Sequence, residues 1–389
     1  MLGNNRLSLM PGFPCRGAAR LLSNKNHFRN IDLASTSRSP TGTLRAHLTG
    51  DQPELHRISR ALLPLLLTVP VWVSASSAGP LGPVPSAAAP GGARLDAAAM
   101  VSARTTAARA EQRLPDLWEN RDDELQRGLE RLLAAQGLST AASGGRLAVV
   151  VADITEPGAP RVASVNGDRM MYAASLPKIA ILLGAMDAMQ RGRAVPDAAV
   201  ERDIEQMIRY SSNSAATRVL EWVGRDRLLA LLQSPRLRLY DPAHNGGLWV
   251  GKDYGGSPAY SRDPIGNLSH GATAMQVARL FQLLEGGQLL DAEHSARMKS
   301  VLGDPGIRHK FVKGLESRPG ATVYRKSGTW QQFHADGALV ESGGRKLVLV
   351  GLAEDPRGGE WLAGMAAPLH DLALGMTREA SRVARHEPN

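Results

Sequence analysis

The stretch Tyr172-Ala173-Ala174-Ser175-Leu176-Pro177-Lys178-Ile179-Ala180-Ile181-Leu182-Leu183-Gly184-Ala185-Met186 decides how the rest of the chain is read. Met170–Ala174 leads into Ser175, and Ile179–Met186 continues as a helix. Pro177 fits a first helical turn, where its missing N–H has no partner to lose. Residues three apart share a helix face, so the Lys178 amine is expected to reach the Ser175 hydroxyl. The helix N-terminus favours negative charge developing there. A serine hydroxyl is a poor nucleophile until a neighbour takes its proton. A lysine does so only when burial or nearby cations lower its pKa. Apolar Ile179, Ile181 and Leu182 offer that burial.

Outward from this helix the pattern alternates. Upstream, Asp116–Gln136 carries Leu117, Leu125, Leu129, Leu132 and Leu133 on a helical stripe that stops at Gly137. Strands are predicted over Leu147–Ile154 and Arg161–Val165, with Asn166-Gly167 turning the second towards Met170. A mostly helical region follows, interrupted by a Gly-rich loop over Tyr240–Asn267. Strand signals return at Thr322–Ser327, Ala335–Glu341 and Lys346–Ala353, and a last helix spans Trp361–Val383. The expected fold is α/β in the α+β sense and has two lobes. One is an antiparallel five-stranded sheet flanked by terminal helices; the other is an all-helical lobe over about 175–320.

Two further motifs follow Ser175-x-x-Lys178 in order. Ser211-Ser212-Asn213 lies between the helical stretches Val200–Tyr210 and Ala215–Val223. Ser211 is placed to pass a proton to a leaving nitrogen, and Asn213 offers an amide donor and a carbonyl acceptor. Lys326-Ser327-Gly328 closes the strand that starts at Thr322. Lys326 would supply a cation for a substrate carboxylate and polarise Ser211. Ser327 lines the same strand end, and Gly328 lets a ligand approach the backbone. The backbone N–H groups of Ser175 and Thr329 are natural oxyanion-hole donors. Each motif is common by itself; the ordered set at those places in the fold is not.

From about Asp116 to Val383 the chain resembles the class A β-lactamase family and its penicillin-binding relatives. Tyr172–Lys178 is similar to that family's nucleophile segment, Ser214-Ala215-Ala216 continues its second motif, and Ser269–Leu284 resembles the helix after its omega loop. The resemblance implies an active site between the lobes and acylation of Ser175 by a β-lactam or a D-alanyl peptide. Two departures stand out. Only 36 positions separate Ser175 from Ser211, a shortened wall on that side of the cleft. The family's Glu-x-x-Leu-Asn motif, whose glutamate activates the deacylating water, is missing between Thr217 and Ser269. Asp253 sits near the expected place and is the candidate to hold that water. Without an efficient base the acyl-enzyme persists, as in a D,D-peptidase or a covalent penicillin-binding sensor. An esterase or amidase of other substrate class on the same scaffold is the further alternative.

His334 and Asp336 share one strand face and are candidates to line the cleft beside Lys326. His270 reads as structural, and His244 with Asp241 as an alternative acid–base pair. Metal-ligand and nucleotide-binding patterns are lacking, so neither a metal nor a cofactor is expected. The net charge is +9, but residues 1–60 carry nine Lys/Arg against three acids, leaving only +3 for the remainder. With no basic cluster interleaved with aromatics, nucleic-acid binding is not expected. Cys15 is the only cysteine, which excludes an internal disulfide. Residues 1–55 read as disordered or as an extension ahead of a translation start near Leu55. Residues 56–78, with Arg57 and Arg60 before the apolar run Ala61–Val73 and small residues after it, read as a secretory signal. Residues 79–115 read as an Ala/Pro/Gly-rich linker. The expectation is an exported, periplasmic or secreted monomer without a membrane span, acting on a small molecule.

Overall fold

The computed structural model describes residues 113–375. The predicted segments 1–55 and 56–78, most of the linker 79–115, and the end of the last predicted helix lie outside them. In chain order the main elements are α1 (Asp123–Ala135), β1 (Leu147–Asp153), β2 (Arg161–Val165), α2 (Lys178–Gln190), α3 (Ala198–Arg209), α4 (Asn213–Val223), α5 (Arg225–Gln233), α6 (Ala274–Glu285), α7 (Ala292–Leu302), β3 (Thr322–Trp330), β4 (Phe333–Ser342), β5 (Arg345–Glu354) and α8 (Gly358–Leu374). The five strands form one antiparallel sheet in the order β2-β1-β5-β4-β3. The chain therefore has the predicted sheet, and β3, with the Lys-Ser-Gly motif, is an edge.

Both faces of the sheet are covered, which is why β1 reads as an unbroken apolar run. Ala148, Val150 and Ala152 enter a core shared with the helical lobe. Leu147, Val149 and Val151 point the other way, into a core with Leu129 of α1 and Leu362, Met365 and Leu369 of α8. The β4–β5 hairpin turns on Gly343 and Gly344 at φ 56° and 75°, the positive pair that a two-residue type I′ turn requires.

In the helical lobe α2 is the axis. Every residue from Lys178 to Ala188 is buried, as expected of a helix that is apolar all round. Helices α3, α4, α5 and α7 pack around it. Among the described residues no helix is long and apolar enough to cross a membrane.

Three predicted boundaries move. The Asp116–Gln136 stripe is not one helix: a 3₁₀ turn, Leu117–Glu119, ends before Asp122, which caps α1 by accepting from the Glu124 and Leu125 amides at 3.0 and 2.8 Å. Helix α8 begins at Gly358, three residues before the predicted Trp361, and reaches a C-cap at Gly375, whose backbone is left-handed at φ 75°. The Gly-rich segment is not plain loop. Tyr240–Asp241 pairs with Gly246–Gly247, and His270–Ala272 is paired on both sides, by Met171–Tyr172 and by Trp249–Val250. Its glycines permit close backbone approach: a Cβ on Gly251 would lie 1.5 Å from the Ser261 carbonyl oxygen.

Candidate active site

The turn that carries Ser175 is built under backbone constraint. Ala174, just before Ser175, sits in the left-handed region at φ 51°, and Ser211 does so at φ 59°. Such conformations in non-glycine residues cost on the order of 1–3 kcal/mol and persist where surrounding structure imposes them. Pro177 caps α2 with φ −64°, and Lys178 is its first residue. Ser175 is half-buried among buried neighbours, so its hydroxyl marks the open end of the turn.

Lys178 is pulled inside with its helix and has no exposed surface. Its Nζ donates to the Ser211 carbonyl at 2.6 Å, Asn213 Oδ1 at 2.8 Å and the Ser212 carbonyl at 3.3 Å, and lies 3.5 Å from Ser211 Oγ. The expected direct bond to Ser175 is not made; the amine is held by the second motif instead. Burial pushes its pKa down to about 7, while its acceptors favour the ammonium form, so the group is poised near neutrality. On the far side of Ser211, Lys326 Nζ donates to the same hydroxyl at 2.9 Å and to the Ser327 carbonyl at 2.7 Å. Burial and then the Lys178 charge hold its pKa well below the usual lysine range. One hydroxyl thus bridges two buried amines from different lobes.

Gly328 joins the two halves. A Cβ there would lie 2.2 Å from the Ala173 carbonyl oxygen and 2.7 Å from the Ser175 nitrogen. Only glycine lets β3 lie against the Ser175 turn. Thr329 follows at the exposed edge.

The remaining candidates are placed differently. Asp253 gives both carboxylate oxygens to the Arg225 guanidinium, at 2.8 and 2.7 Å. Its carboxylate is committed to tying the 251–260 segment to α5. The next residue, Tyr254, turns inward instead, with its ring centre 4.5 Å from Lys178 Nζ. We expect Asp253→Asn to cost about 1 kcal/mol or less and to leave the deacylation rate where the wild type has it, as measured by acyl-enzyme lifetime. His334 and Asp336 do share a face, but it is the face opposite Lys326. The register pairs His334 with Thr329 and Asp336 with Ser327, and paired residues point the same way. The His334 ring faces Gly358 and Gly359 at the start of α8. His270 donates Nε2–H to the Lys252 carbonyl at 2.9 Å and stacks near Tyr254, and burial pushes its pKa down to about 4; it is structural. His244 stacks on Trp118, and Asp241 binds Arg238, so they are not an acid–base pair.

Sequence reasoning missed Tyr254 and a set behind β3: His309, Lys310 and Arg325. Arg325 alternates with Lys326 on the strand and faces Asp336, a pairing that the strand period alone could have flagged. A cavity of about 660 Å³ lined by Arg236, Arg238, Arg279 and Trp118 contains none of the motif residues.

This fold and this lysine–serine–lysine bridge define a β-lactamase-like serine hydrolase class. The chain belongs to the beta-lactamase enzyme family, whose model matches residues 125–205 and 197–371. No curated protein matches the chain. Solved structures agree in fold. A β-lactamase from Sphaerobacter thermophilus DSM 20745 is 21% identical with a TM-score of 0.50, covering 64% of this chain and 97% of that one. PBP-A is 19% identical with a TM-score of 0.51, covering 68% and 100%. A β-lactamase from Desulfarculus baarsii DSM 2075 is 19% identical with a TM-score of 0.50, covering 64% and 98%.

Proposed function

We propose that Ser175 is acylated by β-lactams or D-alanyl-peptide-like amides and that the acyl-enzyme is hydrolysed slowly. The observation that carries this is the Ser211 hydroxyl held between Lys178 and Lys326 beside the Ser175 turn. Neutral Lys178 takes the Ser175 proton as the substrate settles, a bond that tightens only in the reacting complex. Ser175 Oγ then bonds the carbonyl carbon, and the oxyanion is received by the N–H groups of Ser175 and Thr329. The C–N bond breaks, the nitrogen takes the Ser211 proton, and Lys178 returns its proton to Ser211. Asn213 keeps Lys178 oriented, Lys326 offers positive charge to a substrate carboxylate, and the Ser327 hydroxyl, on the other face of the same strand end, offers it a hydrogen bond.

Slow release follows from what surrounds Lys178. Its polar partners are carbonyl, amide and hydroxyl oxygens, and its remaining side is closed by the Tyr254 ring. None is a carboxylate, so no side chain in this set matches the water-activating glutamate. A leucine-to-glutamate mutant of the structurally similar PBP-A is an acyl-enzyme complex with penicillin G, which supports covalent capture on this scaffold. The 56–78 segment supports export, and N-terminal sequencing of secreted protein tests it.

The test is a chromogenic β-lactam with intact-mass analysis. We expect a stable adduct with low turnover, and neither signal in Ser175→Ala. Fast turnover would move the protein to the efficient β-lactamases; absence of both signals in the wild type would sink the acylation reading and leave the esterase or amidase alternative.

A further inference from the structure

Behind β3, on the face away from Lys178, lies a group of buried charges that the acylation chemistry does not use. Arg325 and Asp336 form an ion pair at 2.9 Å, with 4% and 0% of their side chains exposed. Burying such a pair brings little or no net stability, so its positional effect is the informative one. Arg325 donates to the Ile307 carbonyl at 3.2 Å and the His309 carbonyl at 3.1 Å, and Asp336 accepts from the Phe311 amide at 3.2 Å. Lys310, in a left-handed conformation at φ 51°, donates to Thr329 Oγ1 at 2.9 Å, the Ala335 carbonyl at 3.1 Å and the Gly328 carbonyl. The 307–311 turn is thereby fastened to β3 and β4 through its backbone and Lys310. The half-buried His309 side chain is left over, and its Nε2 lies 3.0 Å from Ser327 Oγ in the Lys-Ser-Gly motif.

We propose that His309 is a specificity-determining residue: it orients the Ser327 hydroxyl and selects substrates whose carboxylate docks on Ser327, gaining a proton as they bind. This rests on the acylation reading above. A neutral imidazole has one N–H. With that proton on Nε2 it donates to Ser327 Oγ, which turns the serine's own hydrogen towards a ligand. The groups facing His309 are Lys310 on its own turn, Arg325 and Lys326 on β3, and Asp336 on β4. Three cations against one carboxylate favour an incoming anion. Burial first, and then these cations, hold the free imidazole down to about 4, so it is neutral at physiological pH. A bound carboxylate offsets part of that positive field and raises that pKa. Proton uptake on binding then makes capture of an anionic substrate stronger as pH falls from about 8 to 6, whereas the Lys178 titration works the other way on every substrate.

Comparing benzylpenicillin with its methyl ester removes the Lys178 effect, because both need the same base. The acid-to-ester ratio of second-order acylation rates is expected to rise as pH falls from 8 to 6. His309→Ala should lower that ratio at least about tenfold at pH 6, the size of one charge-assisted hydrogen bond, and flatten its pH dependence. His309→Asn, which keeps a donor but cannot titrate, should retain part of the preference with a flat profile. A wild-type ratio that does not change with pH, or a His309→Ala ratio equal to the wild type's, overturns the proposal. If neither compound acylates the wild type, the acylation reading fails instead. The inference is then judged on ring-labelled Ser175→Ala protein, where benzylpenicillin must raise the His309 pKa and the ester must not. No rise there overturns it. A purely structural His309 would change thermal stability and leave the acid-to-ester ratio untouched.

Discussion

Lys178→Ala is expected to slow acylation of Ser175 by roughly three orders of magnitude, the usual range for losing a positioned general base. The reason lies in the burial of α2. Lysine is a base near neutral pH only if its ammonium form is disfavoured, and here burial brings the pKa to about 7. The active form is the free amine. In the wild type the acylation rate should therefore rise nearly tenfold per pH unit below about 7 and level off above it. Stopped-flow acylation across pH 5 to 9 measures this directly, and Lys178→Ala should lose that inflection along with the rate. A wild-type rate that kept climbing to pH 10 would mean Lys178 titrates normally and the proton goes elsewhere. The stability sign is separate. Between the folded value near 7 and the unfolded value of 10.5, the unfolded chain binds the extra proton, so stability rises with pH over that window. Below about 7 the full cost of desolvating this amine is present.

The second large effect concerns folding. Asp336→Ala should destabilise the protein by about 3–5 kcal/mol, because it leaves Arg325 as a buried cation without its counter-charge. Urea unfolding of the 113–375 region's cooperative transition within the full chain reports this as a lowered midpoint. The double substitution Arg325→Met with Asp336→Leu should recover much of the loss, since removing both charges removes the uncompensated one. A single-variant loss below about 1 kcal/mol would mean that water reaches the pair and that it does not fasten the 307–311 turn.

Sequence reading succeeds for local patterns and stops at contacts between distant residues. Ser175 and Lys178 stand out as a short spacing at the start of one helix, but Ser175 lies just before that helix and the expected direct bond is replaced by contacts to Ser211 and Asn213. The five-strand sheet is legible because short apolar runs bounded by turn residues are local signals, and strands covered on both faces read as continuous apolar stretches. The short pairings around His270–Ala272 were not legible, since two or three residues carry no period to detect. Asp253 shows the same limit at the level of a single side chain. Its position along the chain suggested a role beside the acyl group, yet Arg225, 28 positions away, takes its carboxylate.

What the sequence determined by itself is the order of the three motifs and the succession of helices and strands that makes the two-lobed architecture. Each motif and each element depends on neighbours within a helix turn or a strand. Only the tertiary structure decided that Lys178 rests on Ser211 and Asn213 rather than on Ser175, that Tyr254 closes its other side, and that His309 stands on Ser327. Those contacts join residues between 18 and 76 positions apart. No local spacing encodes them; they exist because two cores on opposite faces of one sheet bring the lobes together.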